Sequence, residues 1–439
     1  MMTRDAAAGT LLPRPALRRT AGTRPGRMRR WLGAGAAVCV VGWGANQFTP
    51  MLLLYRARLG LSAPVVEAMF GLYALGLVPG LLLGGSLSDR IGRRRVVVTA
   101  VALSMVAAGV LAAGAHAPGW LFAGRLIMGL ASGGAFSAGI AWIKELSAAP
   151  YEDAPPGAGA RRAGGAMTLG FAAGPLVAGL LAQWAPLPAE LPYLPQAVLA
   201  AGALALAAQT PETVSARAAR RASGGPWRQL RTGGLAEPRF LRVVLPLAPW
   251  VFGSVAVAMV YVPGLVAGRV TGLAVAFAAA GALATALSGV LVQPLARRLA
   301  SRDHPARPRL LSVGLGLVTA GLLAEAGIAS LARLGPWQPV LALLAAAVLG
   351  SGYGICLVFG LAEVARLARP GDLAGLTAVF QVASYTGFAV PFLLSLLRPD
   401  ASAPVLLLGL AALAAVTLAG TAWQARRTAE PAVSRSGRT

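Results

Sequence analysis

The stretch Gly85-Ser86-Leu87-Ser88-Asp89-Arg90-Ile91-Gly92-Arg93-Arg94-Arg95 separates two long apolar runs, one from Val65 to Gly84 and one from Val96 to Ala115. It concentrates one carboxylate and four arginines in a segment that has room only for a turn between two helices. Each flanking run has about the 20 apolar residues needed to span a bilayer. The stretch therefore predicts a charged turn at a membrane surface, in which Gly85 and Gly92 permit tight turning and close helix approach.

The composition indicates a membrane protein along the whole chain. Of 439 residues, 56% are hydrophobic and only 12% are charged, whereas a soluble domain carries about 25% charged residues. The net charge of +24 falls in short clusters between apolar runs. Because these clusters form no basic domain and no nucleic-acid-binding motif, we expect no nucleic-acid partner.

The sequence lacks signatures of catalysis and of cofactor binding. Cys39 and Cys356 both lie inside apolar runs, which excludes a disulfide framework. There is no phosphate-binding Gly-x-x-x-x-Gly-Lys-Ser/Thr loop, no cluster of metal ligands and no nucleophile–base pair. We therefore expect no enzyme, no cofactor, no metal and no direct drive by ATP.

Hydropathy predicts an all-α integral membrane protein. Runs long enough to cross a bilayer occur at 31–55, 65–85, 96–115, 120–143, 164–184, 192–209, 243–266, 273–295, 309–331, 337–364, 373–397 and 403–423. They predict twelve transmembrane helices in two six-helix bundles, 31–209 and 243–423. A linker at 210–242 joins the bundles, and basic or short tails occupy 1–30 and 424–439.

The distribution of arginine and lysine predicts the orientation. Of the 39 Lys and Arg residues, 33 fall on the side that carries both termini and five on the other, and Arg125 lies inside the fourth span. Because cytoplasmic loops are enriched in these residues, we expect a multi-pass protein of the cell membrane with both termini, the linker and both tails in the cytoplasm.

The charged turn carries a family resemblance. Its pattern, Gly-x-Leu-x-Asp-Arg-x-Gly-Arg-Arg from Gly85 to Arg94, resembles the loop signature of the major facilitator superfamily of secondary transporters. An ordinary positively charged loop would explain the arginines but not the spacing of Gly85, Asp89 and Gly92. The resemblance covers residues 31 to 423 and implies two pseudo-symmetric six-helix bundles that work by alternating access.

Three fragments repeat between the halves, as this architecture requires. Ser132-Gly133 recurs as Ser351-Gly352 at a shift of 219, and Gly170-Phe171-Ala172 recurs as Gly387-Phe388-Ala389 at a shift of 217. The charged turn has a weaker copy, Gly289-x-x-x-Gln293-Pro294-x-x-Arg297-Arg298, at a shift of 204. The copy has an amide in place of the aspartate, so any gate built on the acid is expected in one half only.

The resemblance implies a gate at the charged turn. In the family the turn aspartate lies against the start of helix eleven and pairs with a nearby arginine, which closes the cytoplasmic side. Here Pro370-Gly371-Asp372 precedes the eleventh span, and a carboxylate at a helix start gains on the order of 1 kcal/mol. The alternative is a helix-end aspartate with no gating part. The gating candidates are Gly85, Asp89, Arg90, Gly92 and Arg93.

Two charged residues are candidates for proton coupling. Arg125 begins an Arg-x-x-x-Gly pattern similar to that of proton-coupled members, and charges inside spans are usually functional. It lies about five residues, or roughly 8 Å, inside the helix end, so it could instead extend to the surface. Proton drive also needs a titratable carboxylate facing the cavity, and Glu67 is the best placed, although it could equally be a solvated acid in a first helical turn.

The fifth span resembles the signature of exporters in this superfamily. The pattern runs Gly170-x-x-x-Gly174-Pro175-x-x-Ala178-Gly179. It departs from the family pattern at Arg161 and Ala178, where glycines are usual. The pattern favours export over uptake, and the alternative is small-residue packing without directional meaning.

The family architecture places spans one, four, seven and ten around the central cavity. The aromatic and neutral polar residues on these spans and on the eleventh suit an uncharged or amphipathic ligand, although any of them could instead join two helices. The substrate-cavity candidates are Trp43, Asn46, Gln47, Trp250, Tyr261, Tyr353, Gln381 and Tyr385.

These observations favour a monomeric, proton-coupled exporter of small hydrophobic or amphipathic compounds. Its expected partners are a small-molecule substrate, protons and the lipid bilayer. Uptake of a neutral metabolite by symport or uniport is the second hypothesis. A non-transporting membrane sensor or scaffold is the third, and equilibrium binding without flux would distinguish it.

The orientation can be tested by cysteine labelling. After Cys39 and Cys356 are replaced, cysteines at Ala57 and His116 should react with an impermeant thiol reagent in intact cells, because both positions are predicted to face outside. A cysteine at Ser223, in the linker, should react only after the cells are opened. Labelling of Ser223 from outside, with Ala57 protected, would reverse the assignment.

Overall fold

The computed structural model describes residues 29–215, 233–301, 307–331, 335–369 and 372–427. Most of both predicted tails, linker residues 216–232 and the pair Pro370-Gly371 lie outside the described residues.

Twelve helices long and apolar enough to cross a membrane are present in the described part of the chain. We number them in chain order: α1 Trp31–Leu59, α2 Ala63–Ile91, α3 Arg93–Ala113, α4 Gly119–Leu146, α5 Ala158–Trp184, α6 Leu191–Gln209, α7 Phe240–Arg269, α8 Ala274–Leu299, α9 Arg309–Ser330, α10 Trp337–Leu367, α11 Leu373–Leu396 and α12 Ala403–Gln424. The predicted fold class and number of spans are confirmed.

Local irregularities shape three of these helices. The α1 helix is interrupted at Gln47, three residues before Pro50; proline supplies no N–H to the helix ladder, which weakens it at this point. The α7 helix contains two π-helical segments, Phe240–Val244 and Val257–Tyr261. The α11 helix contains a short 3-10 segment, Thr386–Ala389.

Because the number of helices is even, α1 begins and α12 ends at the same end of the molecule. We call this the terminal end and the opposite one the distal end. The charged turn between α2 and α3 lies at the terminal end, and the short turn between α1 and α2 lies at the distal end.

Each half is organised on one pair of helices whose backbones touch. A Cβ atom at Gly76 or Gly80 of α2 would collide with the α4 backbone, and one at Gly129 or Gly133 of α4 would collide with α2. The second half repeats this arrangement, since a Cβ at Gly354 of α10 would collide with the α8 backbone. Small residues permit such close approach where lipid offers no hydrophobic drive for helix association.

Buried apolar residues form three clusters. One lies within α1–α6 and one within α7–α12. The third joins residues of both halves, including Met51, Phe70 and Leu111 of the first half with Met259 and Val275 of the second. All of these positions lie towards the distal end, so an apolar seal holds the two halves together there.

Candidate functional site

The seal at the distal end is reinforced by Gln183 of α5. Its Nε2 donates to the Gly272 carbonyl at 2.7 Å, and its Oε1 accepts from the Ala276 N–H at 3.2 Å. One side chain therefore satisfies backbone groups on both sides of the α8 start. Four residues earlier, Gly179 packs against the side chain of Ala279, so it contributes to contact between the halves.

Glu67 lies inside this seal and not at a solvated helix end. It is only 5% exposed, and its Oε2 atom is buried without a hydrogen-bond partner. Ser395 of α11, Arg56 of α1 and Tyr261 of α7 are near enough to interact with it. The Tyr261 hydroxyl is itself buried without a partner. The carboxyl group thus sits where the two halves meet.

Six aromatic rings cross from one half to the other beneath the seal. The Phe388 ring packs edge-on against Phe70 and Tyr73 of α2, with centroid distances of 5.3 Å and 6.2 Å. Phe252 stacks on Tyr385 and Phe388 at 4.8 Å and 5.0 Å. The Tyr353 ring lies 5.7 Å from Phe252. The candidates Tyr353 and Tyr385 are therefore brought together, on a platform that extends into both halves.

Arg125 is turned inward and does not reach the surface, since it is only 1% exposed. Its guanidinium donates to the carbonyls of Ala45, Met69 and Phe70 at 3.0 Å, 3.3 Å and 3.3 Å. It also stacks over the rings of Phe48 and Tyr73 at 4.7 Å and 4.6 Å. Ala45 lies just before the interruption of α1, so Arg125 compensates for the broken helix ladder and ties α1 to α2 and α4.

The candidates on α1 lie beside its interruption. The side chain of Gln47 is fully buried, whereas Trp43 and Asn46 are half-buried. Both amide atoms of Gln47 and the indole nitrogen of Trp43 are buried without hydrogen-bond partners. These are polar groups available to a ligand or to water.

The exporter-like glycines of α5 pack helix against helix. A Cβ at Gly170 or Gly174 would collide with the α1 backbone between Cys39 and Trp43. Pro175 lies within the helix, directly after Gly174. The motif therefore positions Trp43 and closes α5 onto α1.

Two of the remaining candidates are not joined to this group. The indole N–H of Trp250 donates to the Thr417 hydroxyl of α12 at 3.2 Å, which directs it away from the centre. Gln381 is half-buried on α11.

At the terminal end, the charged turn forms a network within the first half. Asp89 pairs with Arg93 at 2.6 Å, and its side chain is 45% exposed. Arg93 also donates to the Ser88 hydroxyl at 2.6 Å and pairs with Glu145 of α4 at 3.2 Å. The pairing of the aspartate with an arginine is as expected from the resemblance. In this conformation the arginine, Arg93, lies in the same half of the molecule as Asp89.

Glu212, just after α6, caps the start of α3. Its carboxylate accepts from the backbone N–H groups of Arg93 and Arg94 at 2.9 Å and 3.0 Å. A Cβ at Gly92, whose φ is +106°, would collide with this carboxylate. Tyr151 donates to the Glu212 carbonyl at 2.9 Å. Gly92 is thus required by its conformation and by the acid seated against it.

The fold and these sites now permit comparison with known proteins. The family model described as Major Facilitator Superfamily matches residues 32–392. The chain belongs to the major facilitator superfamily. No curated protein gives a significant match to its sequence.

Solved structures agree with this assignment at the level of the fold. A POT family transporter in complex with 5-aminolevulinic acid is 12% identical, with a TM-score of 0.71, and the match covers 91% of this chain and 96% of that one. A POT family transporter in complex with a thioalcohol-conjugated peptide is also 12% identical, with a TM-score of 0.70, 89% of this chain and 94% of that chain being covered.

The xylose transporter XylE from E. coli, in a partially occluded inward-open conformation, is 16% identical with a TM-score of 0.64 over 90% of this chain and 97% of that one. The family and these neighbours identify this chain as a multi-pass membrane transporter and not an enzyme.

The second half of this facilitator reproduces the charged turn without its acid. Arg297 donates to the Gln293 side-chain carbonyl at 2.8 Å, in the same i, i+4 relation as Asp89 and Arg93. Glu363 of α10 pairs with Arg239 at 2.8 Å and with Arg366 at 2.9 Å. The turn after α8 thus keeps the i, i+4 contact of the turn after α2, with an amide in place of the acid.

Several functional contacts of the transporter were not found from sequence. Gln183 and Phe252 carry no local signal, because their contacts are with other helices, and Phe388 stands out only as part of the repeated Gly387-Phe388-Ala389 fragment. Glu212 did carry one, since an acid directly follows α6 while the α3 start lacks a capping side chain of its own. Glu212 falls in the segment 210–242, which is predicted above only as a linker.

Loss of the Gln183 contacts should weaken the distal seal of the transporter. Gln183→Leu keeps the size of the side chain but removes two hydrogen bonds, each contributing about 1 kcal/mol. The two bonds together contribute about 2 kcal/mol, so the population open at the distal end should rise roughly thirtyfold. Spin labels at the exposed positions Leu187 and Leu397 would report longer distances between the halves.

Gln209→Leu is the matched control, because the Gln209 amide bonds within α6, to the Ala205 carbonyl. Distances in Gln183→Leu that are unchanged from the control would show that the apolar seal alone holds the end closed.

Proposed function

We propose that this transporter works by alternating access and exports small hydrophobic or amphipathic compounds across the cell membrane in exchange for protons. The observation that carries the proposal is the position of Glu67, buried without a full set of partners between the two halves. In the proposed orientation the terminal end faces the cytoplasm. The conformation described here is then the inward-facing one, closed towards the outside.

The energetics of Glu67 link a proton to the closing of the distal end. When the halves separate there, the carboxylate would meet water from the outside. Closing buries it again, and burying a charge that lacks a full set of partners costs several kcal/mol. A proton bound to Glu67 removes this cost. Closing therefore carries a proton inward, which is the return half of a proton antiport cycle.

The substrate class is proposed from the groups that face the central region. The rings of Tyr353, Tyr385 and Phe252 offer a broad apolar surface, and the neighbouring polar atoms are neutral amides and hydroxyls. Such a site favours compounds that are apolar with few hydrogen-bonding groups. The fixed charge of Arg125 is already covered by carbonyls and rings, so it does not select for an anion.

Export is proposed from the α5 motif, in which Gly170, Gly174, Pro175 and Gly179 follow the exporter-like pattern. Uptake of a neutral metabolite is the second candidate. It is favoured by Gln47, whose amide has both polar atoms buried and unpartnered beside the interruption of α1. The same Glu67 would then carry the proton together with the substrate.

We further propose that the terminal end closes on Asp89. When the halves approach there, the half-exposed carboxylate can meet the start of α11 at Asp372 and Leu373, while Gly85, Arg90, Gly92 and Arg93 shape the turn that presents it. In the conformation described here Asp372 instead accepts from the Gly234 N–H at 3.3 Å, within the second half.

The coupling proposal is tested by Glu67→Gln in proteoliposomes with an imposed pH gradient. The amide keeps the shape but cannot carry a proton, so uphill substrate movement should fall at least tenfold while downhill exchange persists. Asp400→Asn, which changes an exposed acid at the same end, is the control and should pump normally. A fully active Glu67→Gln would place the proton site elsewhere, and flux in wild type that is indifferent to a protonophore would end the antiport assignment.

The gate proposal is tested by Asp89→Asn, which removes the charge but not the side-chain volume. Closing of the terminal end should lose on the order of 1 kcal/mol, so the inward-facing population should rise and transport should fall severalfold. Asp153→Asn, an exposed acid at the same end, controls for the lost charge. Transport at the wild-type rate in Asp89→Asn would show that Asp89 is a helix-end residue without a gating role.

A further inference from the structure

A second cavity lies at the distal end of the second half, apart from the central region. Its volume is about 300 Å³, and it is enclosed by the distal parts of α7, α9 and α10 and by the turn between α11 and α12. Its lining includes Val262, Leu265, Glu325, Gln338, Arg398 and Ser402. Nothing in the proposed transport cycle uses this space.

Glu325 is the deepest charged group in this cavity. It is only 2% exposed, and its Oε1 atom is buried without a hydrogen-bond partner. It forms no ion pair within the described part of the chain. It lies five residues before Ser330, the last residue of α9, which is about 8 Å below the helix end. An isolated carboxylate at this depth is costly unless a cation accompanies it or a proton neutralises it.

The other polar groups define the opposite side of the cavity. The Gln338 amide nitrogen is already used in a hydrogen bond between helices: its Nε2 donates to the Ile328 carbonyl at 2.8 Å. Arg398 is exposed and lines the cavity without pairing to Glu325. A negative group at depth and a positive group near the mouth therefore share one small space without neutralising each other.

We propose that this cavity binds a primary ammonium group carried next to an anionic group, with the ammonium on Glu325 and the anion on Arg398. Phosphoethanolamine has this chemistry, both as a free molecule and as the headgroup of a phospholipid. The apolar lining, with Val262 and Leu265, accepts the short carbon link between the charges. The 8 Å depth of Glu325 is also close to the thickness of the interfacial region of a bilayer, about 5–7 Å on each side.

The ligand stabilises the protein because it supplies the missing counter-ion of a buried carboxylate. Simple amines meet only Glu325, and inorganic phosphate meets only Arg398. The proposal therefore predicts an order of affinity, in which phosphoethanolamine binds more tightly than ethanolamine and phosphate alone binds weakest.

The test uses the full chain, purified and delipidated in dodecyl maltoside, with binding followed by calorimetry and by the shift of the unfolding temperature. Phosphoethanolamine should bind saturably and at least tenfold more tightly than ethanolamine. Glu325→Gln should weaken both probes at least tenfold, whereas Glu190→Gln should leave both unchanged. Arg398→Gln should remove the preference for phosphoethanolamine while ethanolamine still binds.

A cavity-filling variant gives a second measurement that leaves the carboxylate in place. Ala329 lies four residues after Glu325 and also lines the cavity, so Ala329→Phe should abolish binding of both probes. Dihexanoyl phosphatidylethanolamine identifies the source of the ligand. Binding at least tenfold tighter than that of phosphoethanolamine assigns the site to a lipid, and equal binding assigns it to a soluble zwitterion.

Two results would overturn the proposal. One is the absence of saturable binding of any of the three amine probes to the wild-type protein. The other is undiminished binding in both Glu325→Gln and Ala329→Phe, which would place the amines elsewhere. Transport assays of Glu67→Gln do not bear on either result, because Glu67 does not line this cavity.

Discussion

Close contact between helix backbones is the constraint on which this structure depends. In a membrane, lipid competes with any apolar helix surface, so association requires close packing or polar contacts. The α2–α4 and α8–α10 pairs achieve this through glycines, which leave no space for a methyl group between them. Each half therefore behaves as a unit held by closely packed helix pairs.

Because the α2–α4 and α8–α10 pairs are closely packed, they hold aromatic and polar side chains in defined positions. Tyr73 and Phe70 on α2 are held facing Phe388 of α11, and Arg125 on α4 reaches the carbonyls of α1 and α2. The interface between the halves is different in kind. It rests on an apolar cluster, stacked rings and the Gln183 amide, contacts that can be broken and remade without disturbing either unit.

The sequence was sufficient for the membrane fold, because helix-length apolar runs and arginine-rich turns are local properties. It could not orient side chains across helices. Trp250 was assigned to the cavity from its helix alone, whereas its indole N–H donates to the Thr417 hydroxyl of α12. Glu67 looked like an end residue because its burial is provided by α7 and α11.

The acid that caps α3 has a consequence for how the halves are tethered. Glu212 holds α3 by backbone contacts, and Tyr151 and Trp142 bind the carbonyls of Glu212 and Pro211. The first five residues after α6, Thr210–Val214, thus move as part of the first half. The linker between the two halves is therefore shorter by these five residues, up to about 17 Å when extended. Its attachment to the first half is the Glu212 carboxylate and not the end of α6.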